Sequence, residues 1–335
     1  MDDSMKNAAI RIALSLAIVL IPARVTYPEP TKVFRIGVLE PSSLATPATP
    51  SSALWEVFRK ALSELGYVEG RNIVIEVRAA EGQYDRLPSL AGELVRLNAD
   101  VIVVAGTMAV VPAKQATKTI PIVMAAAANP VESGLVNSLA HPGGNVTGMS
   151  VLSSDLVGKR LALLKEAAPK IQRVAILSNP GAPAHALIVK EGLGRARTLG
   201  LFIQNLPVST VAGLDEAFAN ALGQHAEALF VLDDPMFGSN AGRIVQLAAQ
   251  NHLPAMYGFR VFVDVGGLMS YGPNLPDLFK KAATYVDKIL KGAAPGDLPI
   301  EQPTDFELVV NLSAAKALGI TVPESILLRA NEVLK

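Results

Sequence analysis

A chain of 335 residues, half of them hydrophobic, has the length of about two α/β domains and can bury a core in each. Thirty Lys and Arg balance thirty Asp and Glu, so no charge excess recommends nucleic acid or an anionic membrane as partner. The lack of cysteine excludes disulfides, thiol nucleophiles, zinc–thiolate sites and a lipid-acceptor thiol.

At the start of the chain, Lys6 and Arg11 precede the apolar run from Ile12 to Ile21, which exits through Pro22-Ala23. A basic start, about ten apolar residues and a small-residue exit describe a secretory signal peptide over 1–23. A membrane-spanning helix would need about twenty apolar residues. The expectation is a monomer exported to a periplasm and not tethered by lipid.

Further along, Phe34–Leu39, Ile73–Arg78, Val101–Ala105 and Ile120–Ala125 read as strands, with helical spacing of apolar residues over 52–65, 85–97 and 108–117. A short apolar helix pattern follows Asn129-Pro130 and stops at His141-Pro142-Gly143-Gly144-Asn145, before the strand-like Val146-Thr147-Gly148. The series then restarts, because the run from Arg35 to Pro41 has an echo from Arg173 to Pro180. Helices over 183–199, 213–222 and 239–251 alternate with strands over 201–208, Ala228–Leu232 and Pro254–Tyr257. Glycine pairs flank a strand-like run over 266–273; beyond it come a helix over 275–291, a strand at Phe306–Asn311, a helix opened by Ser313 and a last helix near 323–334.

Apolar strands alternating with helices mark βαβ units and parallel sheets covered on both faces. The fold class expected is therefore α/β, with two doubly wound parallel-sheet lobes joined by hinge strands. Residues 33–147 with 273–335 would form lobe I and 148–272 lobe II, with hinges near 146–150 and 266–273. Which lobe receives Phe306–Val310 stays open.

In doubly wound sheets, ligands sit beyond the carboxyl ends of the strands. The candidates for ligand binding at those ends are Ser42, Ser43, Gly106, Thr107, Asn129, Asn179, Asp233, Asp234, Met236 and Tyr257. A strand running into Gly106-Thr107 and then a helix offers free amides to an anion such as a carboxylate, although Thr107 could simply cap its helix. Asp233 or Asp234 could meet a ligand ammonium, or could cap the next helix or turn with Pro235. Asn179 stands between an Asn-Pro turn and a ligand hydrogen bond. Tyr257, Met236 and Trp55 could wall a cleft or fill a core.

Enzyme signatures are not found. Gly192-Leu193-Gly194 lacks the third glycine of a dinucleotide fingerprint, and Gly158-Lys159-Arg160 lacks the rest of a phosphate loop. His141, His185, His225 and His252 stand at no metal-binding spacing and read as surface or turn residues. No catalytic residue, metal or cofactor is expected.

The stretches "ELGYVEGRNIVIEVRAAEG", "YDRLPSLAGELVRLNADVIVVAGT", "TIPIVMAAAANPVESGLVNSLAHPGGNVTG", "GGLMSYGP" and "YVDKILKGAAPGDLPIEQPTDFELVVNLSAAKALGI" resemble ABC-transporter substrate-binding proteins related to the tryptophan/tyrosine-binding TrpX group. The resemblance runs from about residue 33 to the C-terminus. It implies a periplasmic-binding protein type I fold that traps a carboxylate-bearing solute, such as the aromatic amino acids some relatives bind, between lobes. It also implies delivery to an ABC permease and ATPase complex in the inner membrane. One departure is Asn129-Pro130 where the family often carries Asp-Pro, which makes a neutral or purely acidic ligand more credible. The alternative is a periplasmic sensor that signals to a membrane receptor.

Overall fold

The computed structural model describes residues 32–44, 50–182 and 184–335; the signal peptide expected over 1–23 lies outside them. The elements β1 (Phe34–Glu40), α1 (Pro50–Glu64), β2 (Ile73–Ala79), α2 (Leu87–Arg96), β3 (Val101–Ala105), α3 (Thr107–Ala116), β4 (Ile122–Ala127) and β5 (Val146–Ser150) build the first sheet and its helices. Its strand order is β2-β1-β3-β4-β5, all parallel. The two-residue period of a strand divides its side chains between two cores. Val101 and Val103 join Phe58, Leu62, Phe279 and Val286 on one face. Ile102 and Val104 join Leu90, Leu94, Ala109 and Val110 on the other. A strand apolar at every position, such as β3, is explained by helices on both sides.

The second series runs α4 (Ser153–Ala167), β6 (Arg173–Ser178), α5 (His185–Thr198), β7 (Phe202–Pro207), α6 (Leu214–Gly223), β8 (Ala228–Val231), α7 (Pro235–Ser239), α8 (Ala241–Gln250), β9 (Ala255–Tyr257), α9 (Val261–Asp264) and β10 (Met269–Pro273). Its parallel order β7-β6-β8-β9-β10 repeats that of the first sheet. The sequence echo therefore marks equivalent strands, since β1 and β6 each lie between the strand that follows and the one after it. Then come α10 (Leu275–Leu290), β11 (Phe306–Asn311), α11 (Leu312–Ala317), α12 (Glu324–Leu327) and β12 (Glu332–Leu334).

The chain after β10 is divided between the lobes, which differs from assigning all of 273–335 to the first. Helix α10 packs on α1 and β4 of the first lobe. By contrast, β11 pairs antiparallel with β10, and β12 adds parallel to β11, so both extend the second sheet. Between them, 300–301 is stitched to the first lobe by Ile300 N–H to Leu139 C=O at 2.7 Å and Ser150 N–H to Glu301 C=O at 2.9 Å. The chain therefore crosses between lobes near 151–152, 274 and 302–305.

Three sequence expectations need correction. The helix pattern after Asn129-Pro130 yields only turns: Lys114 Nζ donates to the carbonyls of Gly134 and Leu135, each at 2.8 Å, and so spends acceptors a longer helix would need. The first hinge, expected near 146–150, falls slightly later, because Val146–Ser150 is a strand of the first sheet. Asn145 Nδ2 donates to Ile120 C=O at 2.9 Å and fastens the Pro142–Asn145 corner within the first lobe, and Leu152, at φ 54°, turns the chain into α4. The last helix is confined to α12, because Asn331 exchanges hydrogen bonds with Leu308 and leads the tail into β12. Among the described residues no helix is long and apolar enough to cross a membrane.

Candidate ligand-binding site

A cavity of about 500 Å³ lies between the lobes at the carboxyl ends of both sheets, within the range of about 300–1,000 Å³ usual for small-molecule sites. Much of its wall is apolar: Leu54, Val57, Ala126, Ala128 and Phe279 come from the first lobe and its packed helix α10, and Phe259 and Val261 from the second.

From the first lobe, Gly106, Thr107 and Met108 present the start of α3 to the cavity. The Thr107 hydroxyl neither caps α3 nor stands free. It donates to Ala128 C=O at 3.2 Å and accepts from Ala128 N–H at 2.9 Å, tying α3 to the end of β4. What α3 offers a ligand is therefore backbone N–H and the positive end of its dipole. Glu40, at the end of β1, is buried in the same wall. Burial pushes its carboxyl up, against the Ser42 amide and the Trp55 indole, which pull it down. Trp55 Nε1 donates to Glu40 Oε2 at 2.8 Å and its ring packs edge-on to Phe279, with centroids 5.1 Å apart.

From the second lobe come Asp233, Asp234 and His185. Asp234 caps α7: its Oδ1 accepts from Met236 N–H at 2.9 Å, and its Oδ2 accepts from Asn179 Nδ2 at 3.0 Å. His185 opens α5 just after a turn and is buried in the wall, so of the expected surface or turn positions it does not hold the surface one. Its Nδ1 accepts from Asn179 N–H at 2.8 Å, which leaves Nε2 as the donor to Asp233 C=O at 3.1 Å. Asp233 Oδ2 accepts from Ser153 Oγ at 2.6 Å and Arg160 Nη1 at 3.0 Å, whereas its Oδ1 is buried with no partner among the described residues. The cation Arg260 at the cavity is spent on Asp264, at 3.1 Å, and on Glu332.

The lobes touch across the cleft. Ser42 Oγ donates to Pro235 C=O at 3.1 Å, and the hydroxyls of Ser51 and Ser239 lie 3.4 Å apart. Tyr84 reaches from the first lobe, donating its hydroxyl to Asp234 Oδ1 at 3.2 Å and accepting from Met236 N–H at 3.1 Å. Burial first, and Asp234 next, push the Tyr84 hydroxyl pKa up, so it stays a donor. These bonds exist only while the lobes are together. Tyr84→Phe is therefore expected to shift the closed–open balance toward open by about 1–2 kcal/mol. Solution scattering should show a larger radius of gyration; an unchanged radius would show that the tyrosine does not hold the cleft.

Of the sequence candidates, Gly106, Thr107, Asp233 and Asp234 line the cavity. Ser42, Ser43, Asn129, Asn179, Met236 and Tyr257 are not among its lining residues. Ser42 and Asn179 are buried and spent on Pro235 and Asp234. Met236 and Tyr257 belong to the second lobe's core, where the Tyr257 ring stacks on Phe262 at 4.5 Å. Asn129, at φ 48°, donates from Nδ2 to the Ser154 hydroxyl and stands outside the cavity wall. The elements sequence reasoning missed are Tyr84, Arg160 and His185. Arg160 had left a signal: it falls among Leu156, Val157, Leu161 and Leu164, on the apolar stripe of α4.

Among the described residues, no group of three or more His, Asp or Glu is placed to hold a metal ion.

Known proteins share this architecture. A "Tyrosine-binding protein" of Clostridioides difficile (strain R20291) is 30% identical over 263 residues, covering 78% of this chain and 75% of that protein. The crystal structure of an ABC domain in complex with L-Trp from Streptococcus pneumonia matches with a TM-score of 0.83 at 27% identity, over 90% of this chain and all of that one. The ligand-free, open structure of a substrate-binding protein with adhesive properties from Clostridium difficile covers the same shares at 28% identity, but its TM-score is 0.62. At matched identity and coverage, the lower score against an open form agrees with lobes that are drawn together here. Residues 51–334 match the family described as ABC transporter substrate binding protein, and the chain belongs to that family.

Proposed function

We propose that this protein is the exported receptor of an ABC importer, capturing an amino acid, an aromatic one by the example of its relatives, and presenting it to a permease and ATPase complex. One arrangement carries the reading. The start of α3 on one lobe and the acids Asp233 and Asp234 on the other line one cavity whose wall is otherwise largely apolar. A ligand carboxylate is favoured at a helix N-terminus, an ammonium beside the acids of the second lobe, and an apolar side chain along Leu54, Val57 and Phe279. Every acid and amide in this set serves binding and orientation, which supports a receptor and not a catalyst. The sequence division of the lobes, with hinges between them, supports closure as the signal that a permease reads.

Thermal unfolding with L-tyrosine, L-tryptophan, tyramine and 3-(4-hydroxyphenyl)propionate tests this. A ligand at a hundred times its Kd stabilises the folded chain by about 2.7 kcal/mol, which for a chain of this length is a rise in Tm of about 4 °C. The amino acids should give it, and the compounds lacking either charged group should not. The single Trp55 offers a second readout for L-tyrosine, since both Glu40 and Phe279 touch it and line the cavity. No shift with any amino acid, alongside a shift with the propionate, would replace the amino acid by an aromatic carboxylate.

A further inference from the structure

The acids that line the cavity differ in how much of each is left for a solute. Glu40 accepts from Ser42 N–H at 2.9 Å on Oε1 and from Trp55 Nε1 at 2.8 Å on Oε2, so both oxygens are engaged. Asp234 is filled in the same way by Met236, Tyr84 and Asn179. Asp233 gives Oδ2 to Ser153 and Arg160, and its Oδ1 is shut away against Gly258 inside the second lobe. Asp264 is paired with Arg260 at 3.1 Å, and Arg260 is itself paired a second time, with Glu332. Glu307 is the exception. It lines the cavity half-buried, and among the described residues it has no cation partner and accepts a single hydrogen bond, from Asn274 Nδ2 to Oε1 at 2.8 Å. Its Oε2 is left to whatever fills the cleft. A half-buried carboxylate keeps its charge by staying hydrated, and an ammonium can take the place of that water.

We propose that Glu307 is the residue that recognises the amino group of a solute in the cleft, with Asn274 as its positioning residue. The proposal rests on reading the cleft as an amino-acid site, and it names which acid of the second lobe takes the cation. Asn274 does not touch the solute; it acts through Glu307. Its Oδ1 caps α10 by accepting from Asp277 N–H at 3.0 Å, which leaves Nδ2 as the donor and aims it at Glu307. One carboxylate oxygen is thereby fixed and the other is presented. Asn274 stands at one crossing between the lobes, and Glu307, on β11, follows the crossing over 302–305. An amino group on Oε2 is then held beside two of the three crossings.

Calorimetric titration of the whole chain with L-tyrosine and 3-(4-hydroxyphenyl)propionate tests this, because the two differ only in the amino group. The wild-type preference for L-tyrosine examines the cleft reading alone. Glu307→Gln keeps the shape and removes the charge. It is expected to weaken L-tyrosine binding by about 30-fold or more while the propionate binds as tightly as before or more so, and selectivity collapses. Glu307→Asp, which keeps the charge on a shorter arm, should fall between. Asn274→Ser can still cap α10 but is too short to hold Glu307, and should lower selectivity in the same direction by about 3–10-fold. Asp264→Asn is the control: its carboxylate is already taken by Arg260, so selectivity should stay within about threefold of wild type. Equal losses for both compounds in Glu307→Gln, unchanged selectivity there, or a collapse in Asp264→Asn instead would overturn the proposal while the cleft reading stands. A wild type that does not prefer L-tyrosine would overturn both.

Discussion

Gly258→Ala is expected to destabilise the protein by about 3–5 kcal/mol, the range for breaking a buried ion pair, and to lower Tm by about 4–7 °C for a chain of this length. An added Cβ would lie 1.5 Å from Asp233 Oδ1, 2.6 Å from its Cγ and 2.8 Å from Arg160 Nη2. Overlaps of that size are normally relieved when a flexible side chain swings away. Here neither neighbour can swing, since Asp233 is held by Ser153 and Arg160, and Arg160 by the carbonyls of Tyr271 and Gly258. Relief must come from moving backbone or from separating the charges, and both leave buried groups unpaired. Gly194→Ala is the matched control: it sits exposed within α5, an added Cβ meets nothing within 4 Å, and the change should raise stability by up to about 1 kcal/mol. Thermal unfolding of both variants gives the comparison. A Gly258→Ala protein as stable as wild type would mean that the Arg160–Asp233 pin is loose, contrary to its burial.

How legible this pin was in the sequence shows where sequence reasoning works and where it stops. A strand such as β3 could be read from an apolar run of five residues, because helices cover both faces of its sheet and every position is buried. The echo of Arg35–Pro41 in the run from Arg173 revealed two lobes of the same strand order, since equal positions in equal sheets ask for equal residues. Strand ends were legible for the same reason, and Gly106, Thr107, Asp233 and Asp234 followed from them. Direction was not legible. Met236 and Tyr257 lie at strand ends too, yet their side chains turn into the second lobe's core. Tyr84 escaped because its partners Asp234 and Met236 lie about 150 residues away on the other lobe, and no local period reports such a meeting. Arg160 could have been found: a charge on the apolar stripe of a helix demands a buried partner, although only the fold says which. The tail misled for a related reason. The apolar spacing near 323–334 suits a helix, but Asn331 and the open edge of β11 draw the last residues into a strand.

Gly106→Ala is expected to cost the protein its grip, with a Kd for L-tyrosine at least about 100-fold higher, or about 2.7 kcal/mol. Gly106 stands at φ 76° and ψ 145°, a conformation that L-residues enter only with strain of about 1–3 kcal/mol. An added Cβ would also fall 2.7 Å from Pro235 Cγ on the opposite lobe. The proline ring can move Cγ only by changing its pucker, and it opens α7 under the Asp234 cap. The two penalties differ in kind. Backbone strain is present whether the lobes are apart or together, so it appears as lost thermal stability. The collision arises only as the lobes approach, so it appears as lost affinity and as a radius of gyration that no longer shrinks when ligand is added. A second substitution separates them: Pro235→Ala removes Cγ, so the double variant Gly106→Ala/Pro235→Ala should regain most of the affinity while keeping the lower Tm. Coupling between the two sites, measured as a double-mutant cycle in Kd, should then exceed about 1 kcal/mol. Should Gly106→Ala bind as tightly as wild type and still contract with ligand, the ligand-holding state would be one in which these two residues do not meet. The joined lobes described here would then not be the grip.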